Sequence, residues 1–143
     1  MDARRVLFVC THNSARSQMA EGLLRHDGGD RFEAHSAGTE ATEVRPEAVA
    51  VMAEIGIDIS GHESKTIDRY LGERFWRVIT VCDQAQEACP IFPGAERTAH
   101  WSLEDPAAAI GTDDERLEVF RRTRDEIRGR IRTFVGDAAH IDA

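Results

Sequence analysis

Cys10 closes the apolar run Val6-Leu7-Phe8-Val9, and Arg16 follows it after the short stretch Thr11-His12-Asn13-Ser14-Ala15. A thiol and a guanidinium at this spacing are reagents for chemistry on a tetrahedral oxyanion. Backbone amides of a short loop wound at a helix N-terminus converge on one point, and the positive end of the helix dipole favours negative charge there. The same field lowers the pKa of a thiol, and the thiolate is the nucleophilic form. Arg16 adds a planar fork that spans two oxygens, and Ser17 is placed to donate its hydroxyl to the sulfur. The expected oxyanion loop is therefore Thr11, His12, Asn13, Ser14, Ala15, Arg16 and Ser17. The plainer alternative makes Cys10 a small buried hydrophobe and Arg16 a solvated helix residue. Context favours the chemistry. A continuous apolar strand precedes the loop, and Ser17 to Leu24 follows it with Met19, Leu23 and Leu24 on one helical stripe.

Two further cysteines lie in Val81-Cys82-Asp83-Gln84-Ala85-Gln86-Glu87-Ala88-Cys89-Pro90. If Gln84 to Ala88 is helical, the two sulfurs stand roughly 10 Å apart along the axis, beyond the about 7 Å between Cα atoms that a disulfide tolerates. A Cys82–Cys89 bond then requires the segment to unwind, so its formation would report a conformational change. The alternative treats Cys82 as a core residue and Cys89 as an incidental loop thiol. A third reactive group sits in Ser102-Leu103-Glu104-Asp105-Pro106. The proline holds Asp105 extended, so its carboxyl can hang over the oxyanion loop as a general acid, giving a proton to a departing oxygen. Asp-Pro is also a plain turn signal, and the Cys10 loop tips the balance toward catalysis.

The elements that must position these groups alternate strand and helix. Phe32 to Ala37 reads as a strand closed by Gly38. Pro46 opens a helix carrying Ala48, Val49, Met52 and Ile55 that stops at Gly56. Ile57-Asp58-Ile59-Ser60 precedes a polar helix expected near 64–71. Val78-Ile79-Thr80-Val81 marks a buried strand over 77–82, and a shorter strand is expected near 98–101. The last helix starts around Thr112 to Glu115 and carries Leu117, Phe120, Ile127, Ile131 and Phe134 on one face. This alternation predicts an α/β fold with a single open four-stranded parallel sheet and helices on both faces. In such sheets ligands sit beyond the carboxyl ends of the strands, where Cys10 and Cys82 are both expected.

The chain has 143 residues and a net charge of −8, from 26 acidic and 18 basic residues. It reads as one domain over 1–143. The acidic balance argues against a sequence-independent grip on nucleic acid or an anionic membrane, so an anion site has to be built locally. No stretch reaches the roughly 20 apolar residues that span a bilayer, and the N-terminus leads directly into a strand, so a cytoplasmic protein is expected. Three cysteines without a secretion signal favour redox or catalytic use over a disulfide framework. The six histidines show no close ligand spacing with them, so no metal site is expected.

The strand, the Cys10 to Arg16 loop with Ser17, and Asp105-Pro106 resemble the low-molecular-weight protein tyrosine phosphatases, whose fold is flavodoxin-like. Cys82 and Cys89, with Ser17-Gln18-Met19-Ala20-Glu21-Gly22, Ser36-Ala37-Gly38, Ile57-Asp58-Ile59-Ser60, His100-Trp101 and Arg124-Asp125-Glu126-Ile127, resemble more closely the thioredoxin-coupled arsenate reductases built on that fold. The likeness implies attack of Cys10 on arsenate, protonation by Asp105, and a disulfide relay from Cys10 to Cys82 to Cys89. It also implies thioredoxin as reductant, phosphate or sulfate as competing oxyanions, weak residual phosphatase activity and a monomer, with no cofactor.

The chain departs from that family in three places. His12 stands where relatives commonly have glycine, and Ala15 where some have a further cysteine. Asn13, Glu21 and Ser36 match a potassium site found in some members, but Lys65 stands where an aspartate ligand is expected. Its ammonium can take the cation's place beside Glu21, so no potassium requirement is expected. Two other functions are weighed against the reductase. A phosphotyrosine phosphatase would need Cys10, Arg16 and Asp105 only, yet no aromatic pair precedes Asp105 to grip a phenyl ring. A thiol-based redox sensor or arsenic binder would use the three sulfurs as a ligand set.

Overall fold

The computed structural model describes residues 3–81 and 94–142, the last four by backbone alone. Within them the element order is β1 (Arg4–Cys10), α1 (Arg16–Gly28), β2 (Phe32–Gly38), α2 (Pro46–Ala53), β3 (Phe75–Thr80), β4 (Ala95–His100) and α3 (Asp113–Asp142). The four strands form one parallel sheet in the order β2-β1-β3-β4. This is the open parallel sheet flanked by helices that the alternation predicts. β1 is paired on both edges, and Val6, Leu7, Phe8 and Val9 are fully buried. That is why the run is apolar at every position rather than at alternate ones.

Both sheet faces are covered. On one, Phe8 and Phe32 meet the aromatic cluster of Trp101, Trp76 and Phe134 of α3, with ring centroids 5.7 Å apart for Phe8 and Trp101 and for Phe32 and Phe134. On the other, Tyr70 stacks 5.3 Å from His35 and 5.7 Å from Phe75. Phe120, Ile127 and Ile131 of the predicted α3 face are fully buried, while Leu117 and Phe134 are half-buried. The same face buries Arg124, whose Nη1 donates to the Val51 carbonyl at 2.8 Å and to Glu54 at 2.9 Å. An arginine on one helix thus satisfies a carbonyl in the last turn of another.

Four boundaries differ from the sequence reading. The polar helix expected near 64–71 is a single 3-10 turn, Ile67–Tyr70. Its first residues are committed elsewhere: the Lys65 carbonyl accepts from Gly38 N at 2.8 Å and Thr66 bridges Gly38 in parallel, prolonging the sheet at its β2 edge. β4 starts earlier than expected, at Ala95, because an exposed edge strand of sequence Ala-Glu-Arg-Thr-Ala-His carries no apolar alternation. β3 runs Phe75–Thr80 rather than 77–82. α2 ends at Ala53, and Gly56 takes the left-handed conformation (φ 79°) that turns the chain. The reading of Cys82, Gln84 to Ala88 and Cys89 lies outside the described residues. Among those described, no helix is long and apolar enough to cross a membrane.

α1 approaches the Ile57–Ile59 segment closely at Gly22, where a Cβ would stand 2.7 Å from Ile59 Cγ2 and 3.2 Å from Met52 Cε. Ile59 is fully buried and β-branched, so it yields poorly. Gly22→Ala gains about 1 kcal/mol of helix propensity but overpacks at a cost of about 1–3 kcal/mol. We expect a net loss near 1 kcal/mol in urea denaturation; a stabilised variant would show that the contact relaxes freely.

Candidate active site

The loop between β1 and α1 is shaped by where its carbonyls go. Cys10 O accepts from Thr39 N (3.2 Å), and Thr11 O from Glu40 N (2.9 Å) and Thr39 Oγ1 (3.1 Å). His12 O accepts from the hydroxyls of Thr42 (3.2 Å) and Ser64 (3.0 Å), and Asn13 O from Gln18 Nε2 (3.2 Å). Ser14 O accepts from Arg45 N (2.8 Å) and Ala15 O from Met19 N (2.9 Å). Every carbonyl from Cys10 to Ala15 is thus taken by a donor outside the loop's concave side. Among the described residues, the amides of His12, Asn13, Ser14 and Ala15 donate to no protein acceptor. A row of unused N–H groups at a helix start is an anion receptor. α1 begins at Arg16 with Ala15 at its N-cap and no side-chain cap, so its first amides are also available.

Asn13 makes the turn possible. It adopts the left-handed conformation (φ 50°) and is fully buried. Its Oδ1 accepts from Gln18 Nε2 and Lys65 N, both at 2.8 Å, and its Nδ2 donates to Ser17 Oγ at 2.9 Å. Asparagine tolerates this backbone region better than most residues, and the three bonds lock it there. The Ser17 hydroxyl, accepting from Asn13, keeps its own hydrogen to donate.

Cys10 and Arg16, both buried, line a cleft of about 440 Å³ together with His12, Ser14, Ala15 and Asp105. Arg16 Nη1 is anchored on Leu103 O at 3.1 Å, and its Nη2 stands 3.7 Å from Asp105 Oδ2. Asp105 in turn caps the 3-10 turn Pro106–Ala108 by accepting from Ala107 N at 3.0 Å. One carboxylate oxygen caps the turn and the other stands toward the guanidinium at the cleft. Thr11, Asn13 and Ser17 do not line the cleft; Asn13 and Ser17 support the loop from the buried side. The opposite wall, Thr42 to Pro46, was not singled out in the sequence. Its signal is the density of hydroxyls and the Arg45-Pro46 pair between Gly38 and the next helix.

Beneath the loop lies a buried polar cluster centred on Glu21. Ser36 Oγ donates to Glu21 Oε1 at 2.7 Å, Lys65 Nζ lies 3.6 Å from the same oxygen, and Arg25 Nη2 reaches Oε2 at 3.0 Å. His62 Nδ1 is 2.9 Å from Gln18 Oε1 and 3.4 Å from Glu21 Oε2. The potassium ligand set implied by the family does not fit a cation here. Both acceptor positions of Asn13 Oδ1 are used, and the Lys65 ammonium stands against Glu21. Among the described residues, no cluster of His, Cys, Asp and Glu is arranged to hold a metal ion.

Residues 5–142 match the low molecular weight phosphotyrosine protein phosphatase family, and the chain belongs to it. It is an enzyme of that superfamily. Its relatives include reductases: an arsenate reductase of Halalkalibacterium halodurans is 49% identical over 134 residues, covering 94% of this chain and 96% of that protein. A solved structure of an arsenate reductase in the phosphate binding state superposes with a TM-score of 0.80 at 36% identity, over 94% of this chain and 98% of that one. A thioredoxin-dependent arsenate reductase of Corynebacterium glutamicum aligns with a TM-score of 0.69 at 31% identity, over 99% of this chain and 64% of that one.

Two predictions test the loop and its support. At Gly38 a Cβ would meet Glu40 O at 2.6 Å, Asn13 N at 2.7 Å and Thr11 O at 2.8 Å, all backbone. Gly38→Ala should therefore cost about 2 kcal/mol or more and abolish protection of Cys10 from alkylation by inorganic phosphate. Unchanged protection would mean that the loop does not rest on Gly38. Burial pushes the His62 imidazole below its ordinary value, Glu21 and Asp58 oppose this, and Arg25 and Lys65 add to it. The folded protein then binds this proton less readily than the unfolded chain. Stability should decline as the pH drops below about 6.5, the ordinary imidazole value. His62→Gln should flatten that decline between about pH 7 and pH 5 in urea titrations; an identical slope would assign it to other groups.

Proposed function

We propose that this protein reduces arsenate to arsenite, with Cys10 as nucleophile and Cys82 and Cys89 as the thiols that carry the oxidising equivalent away. The observation that carries the reading is the union, in one cleft, of Cys10, a ring of unused amides, the anchored Arg16 and the carboxyl of Asp105. Arsenate is a tetrahedral anion of nearly phosphate shape, so a receptor built for one accepts the other. No Phe, Tyr or Trp is among the described residues lining the cleft, which favours a bare oxyanion over an aryl ester.

The chemistry balances in three steps. The Cys10 thiolate attacks As(V), an S–As bond forms, and one oxygen departs as water after accepting a proton from Asp105, while Arg16 and the loop amides hold the developing charge. The Cys82 thiolate then attacks Cys10 Sγ. The S–As bond breaks with its electron pair passing to arsenic, which leaves as As(III), and a Cys10–Cys82 disulfide remains. The Cys89 thiolate attacks Cys82 Sγ, releasing the Cys10 thiolate and leaving a Cys82–Cys89 disulfide. A dithiol protein of the thioredoxin type reduces that bond; the Corynebacterium relative described as thioredoxin-dependent supports this choice. The register is favourable to the second step. Val81, which precedes Cys82 in the sequence, donates its N–H to the carbonyl of Val9, which precedes Cys10, at 2.9 Å. The Lys65–Glu21 pair supports turnover without potassium.

Arsenate-dependent NADPH oxidation with thioredoxin and its reductase, set against glutathione- and mycothiol-coupled mixtures, tests the reading. Cys89→Ser should release one arsenite per protein and stop as the Cys10–Cys82 disulfide, whereas Cys82→Ser should release none. Asp105→Asn should slow arsenite formation about 100-fold or more. Potassium added at constant ionic strength should leave the rate unchanged, and phosphate or sulfate should compete. Sustained turnover by both cysteine variants would sink the relay, and hydrolysis of phosphate esters without arsenate reduction would make the protein a phosphatase.

A further inference from the structure

The wall facing Asp105 carries a cation that the proposed chemistry leaves unused. Arg45 lines the same cleft as Cys10 and Arg16. Its backbone is held on both sides: the N–H donates to Ser14 O at 2.8 Å, and the carbonyl accepts from Val49 N at 3.2 Å. It is the N-cap residue of α2, extended (φ −65°, ψ 131°) ahead of Pro46, a conformation the proline enforces. The side chain is half-buried, and among the described residues its guanidinium enters no ion pair. The nearest acids in sequence are engaged or opposed. Glu47 is bonded to Arg116 at 3.0 Å, Glu40 lies 3.5 Å from His12 Nδ1, and Glu43 shares the wall with Arg45.

Charge gives this arrangement a purpose. The whole chain carries −8, a field that repels a dianion at a distance. Inside the cleft the Cys10 thiolate offsets Arg16, Glu43 subtracts a further charge, and Asp105, protonated as the proposed general acid, adds none. Without Arg45 the ionised side chains lining the cleft sum to a negative value; with it they balance, and the loop amides and helix dipole then decide in favour of an anion. We propose that Arg45 is a specificity-determining residue that draws tetrahedral dianions into the cleft and favours them over monoanions. The inference rests on the oxyanion site proposed above and adds to it a residue that recruits substrate without taking part in bond making.

The test is calorimetric titration of the reduced full-length protein with inorganic phosphate, at low and high ionic strength, for wild type, Arg45→Gln, Arg45→Lys and Glu43→Gln. At low salt Arg45→Gln should weaken phosphate binding about tenfold, and the gap should close as the Debye length shrinks. Arg45→Lys should stay within about twofold of wild type, and Glu43→Gln should bind more tightly. In arsenate turnover the Arg45→Gln loss should fall on KM. Equal affinities for wild type and Arg45→Gln at low salt, or equal losses for the Gln and Lys variants, would overturn the role of Arg45 and leave the reductase reading standing. The predicted phosphate affinities in a protein that turns over no arsenate would do the reverse.

Discussion

The site depends on the outward hydrogen bonding of six consecutive carbonyls, Cys10 to Ala15. A loop with buried carbonyls facing a cleft would repel an anion, and one with unpaired carbonyls facing the core would pay several kcal/mol in lost hydrogen bonds. Both problems have one solution. The 39–45 segment, the side chains of Gln18, Thr42 and Ser64, and the Met19 amide satisfy the carbonyls from outside, and the loop amides are left for the ligand. Asn13, Gly38 and the parallel Gly38–Thr66 bridge are local conditions of that arrangement rather than separate features.

The buried polar cluster below the loop follows from the same requirement. Gln18 reaches Asn13, His62 and the Glu63 carbonyl, and so ties the first turn of α1 to the segment that holds Ser64 under the loop. Glu21 is compensated by Ser36, Arg25 and Lys65. A buried network of this kind is stable only when its members are paired, so the lysine at position 65 changes what the site can hold. The Lys65 ammonium stands 3.6 Å from Glu21 Oε1, at the place where the family resemblance implies a potassium ion in some members.

Much of this was legible in the sequence where a single local rule decides the outcome. The fully apolar Val6 to Val9 run, the Cys10–Arg16 loop, the α1 stripe and the buried face of α3 came from periodicity and spacing alone. The elements that misled are those whose form is set by partners. Residues 64–71 look helical until Lys65 and Thr66 are needed at the sheet edge, and β4 carries no pattern because its outer side faces solvent. Arg45 and Thr42 carry only the weak signal of a hydroxyl and an Arg-Pro pair in a polar loop, which does not say which distant strand-end they will meet.

The order of residues by itself determined which reagents this protein owns: a cysteine at a strand end, an arginine on the helix that follows, an acid fixed by proline, and two further thiols. Those follow from covalent sequence and short-range backbone preference. Only the tertiary structure decided that Asp105 would stand 3.7 Å from Arg16, that Lys65 would sit against Glu21, and that Thr39, Thr42, Ser64 and Arg45 would hold the loop open. These are contacts between segments far apart in the chain. They exist because the parallel sheet brings strand ends to one rim, and no local rule encodes that meeting.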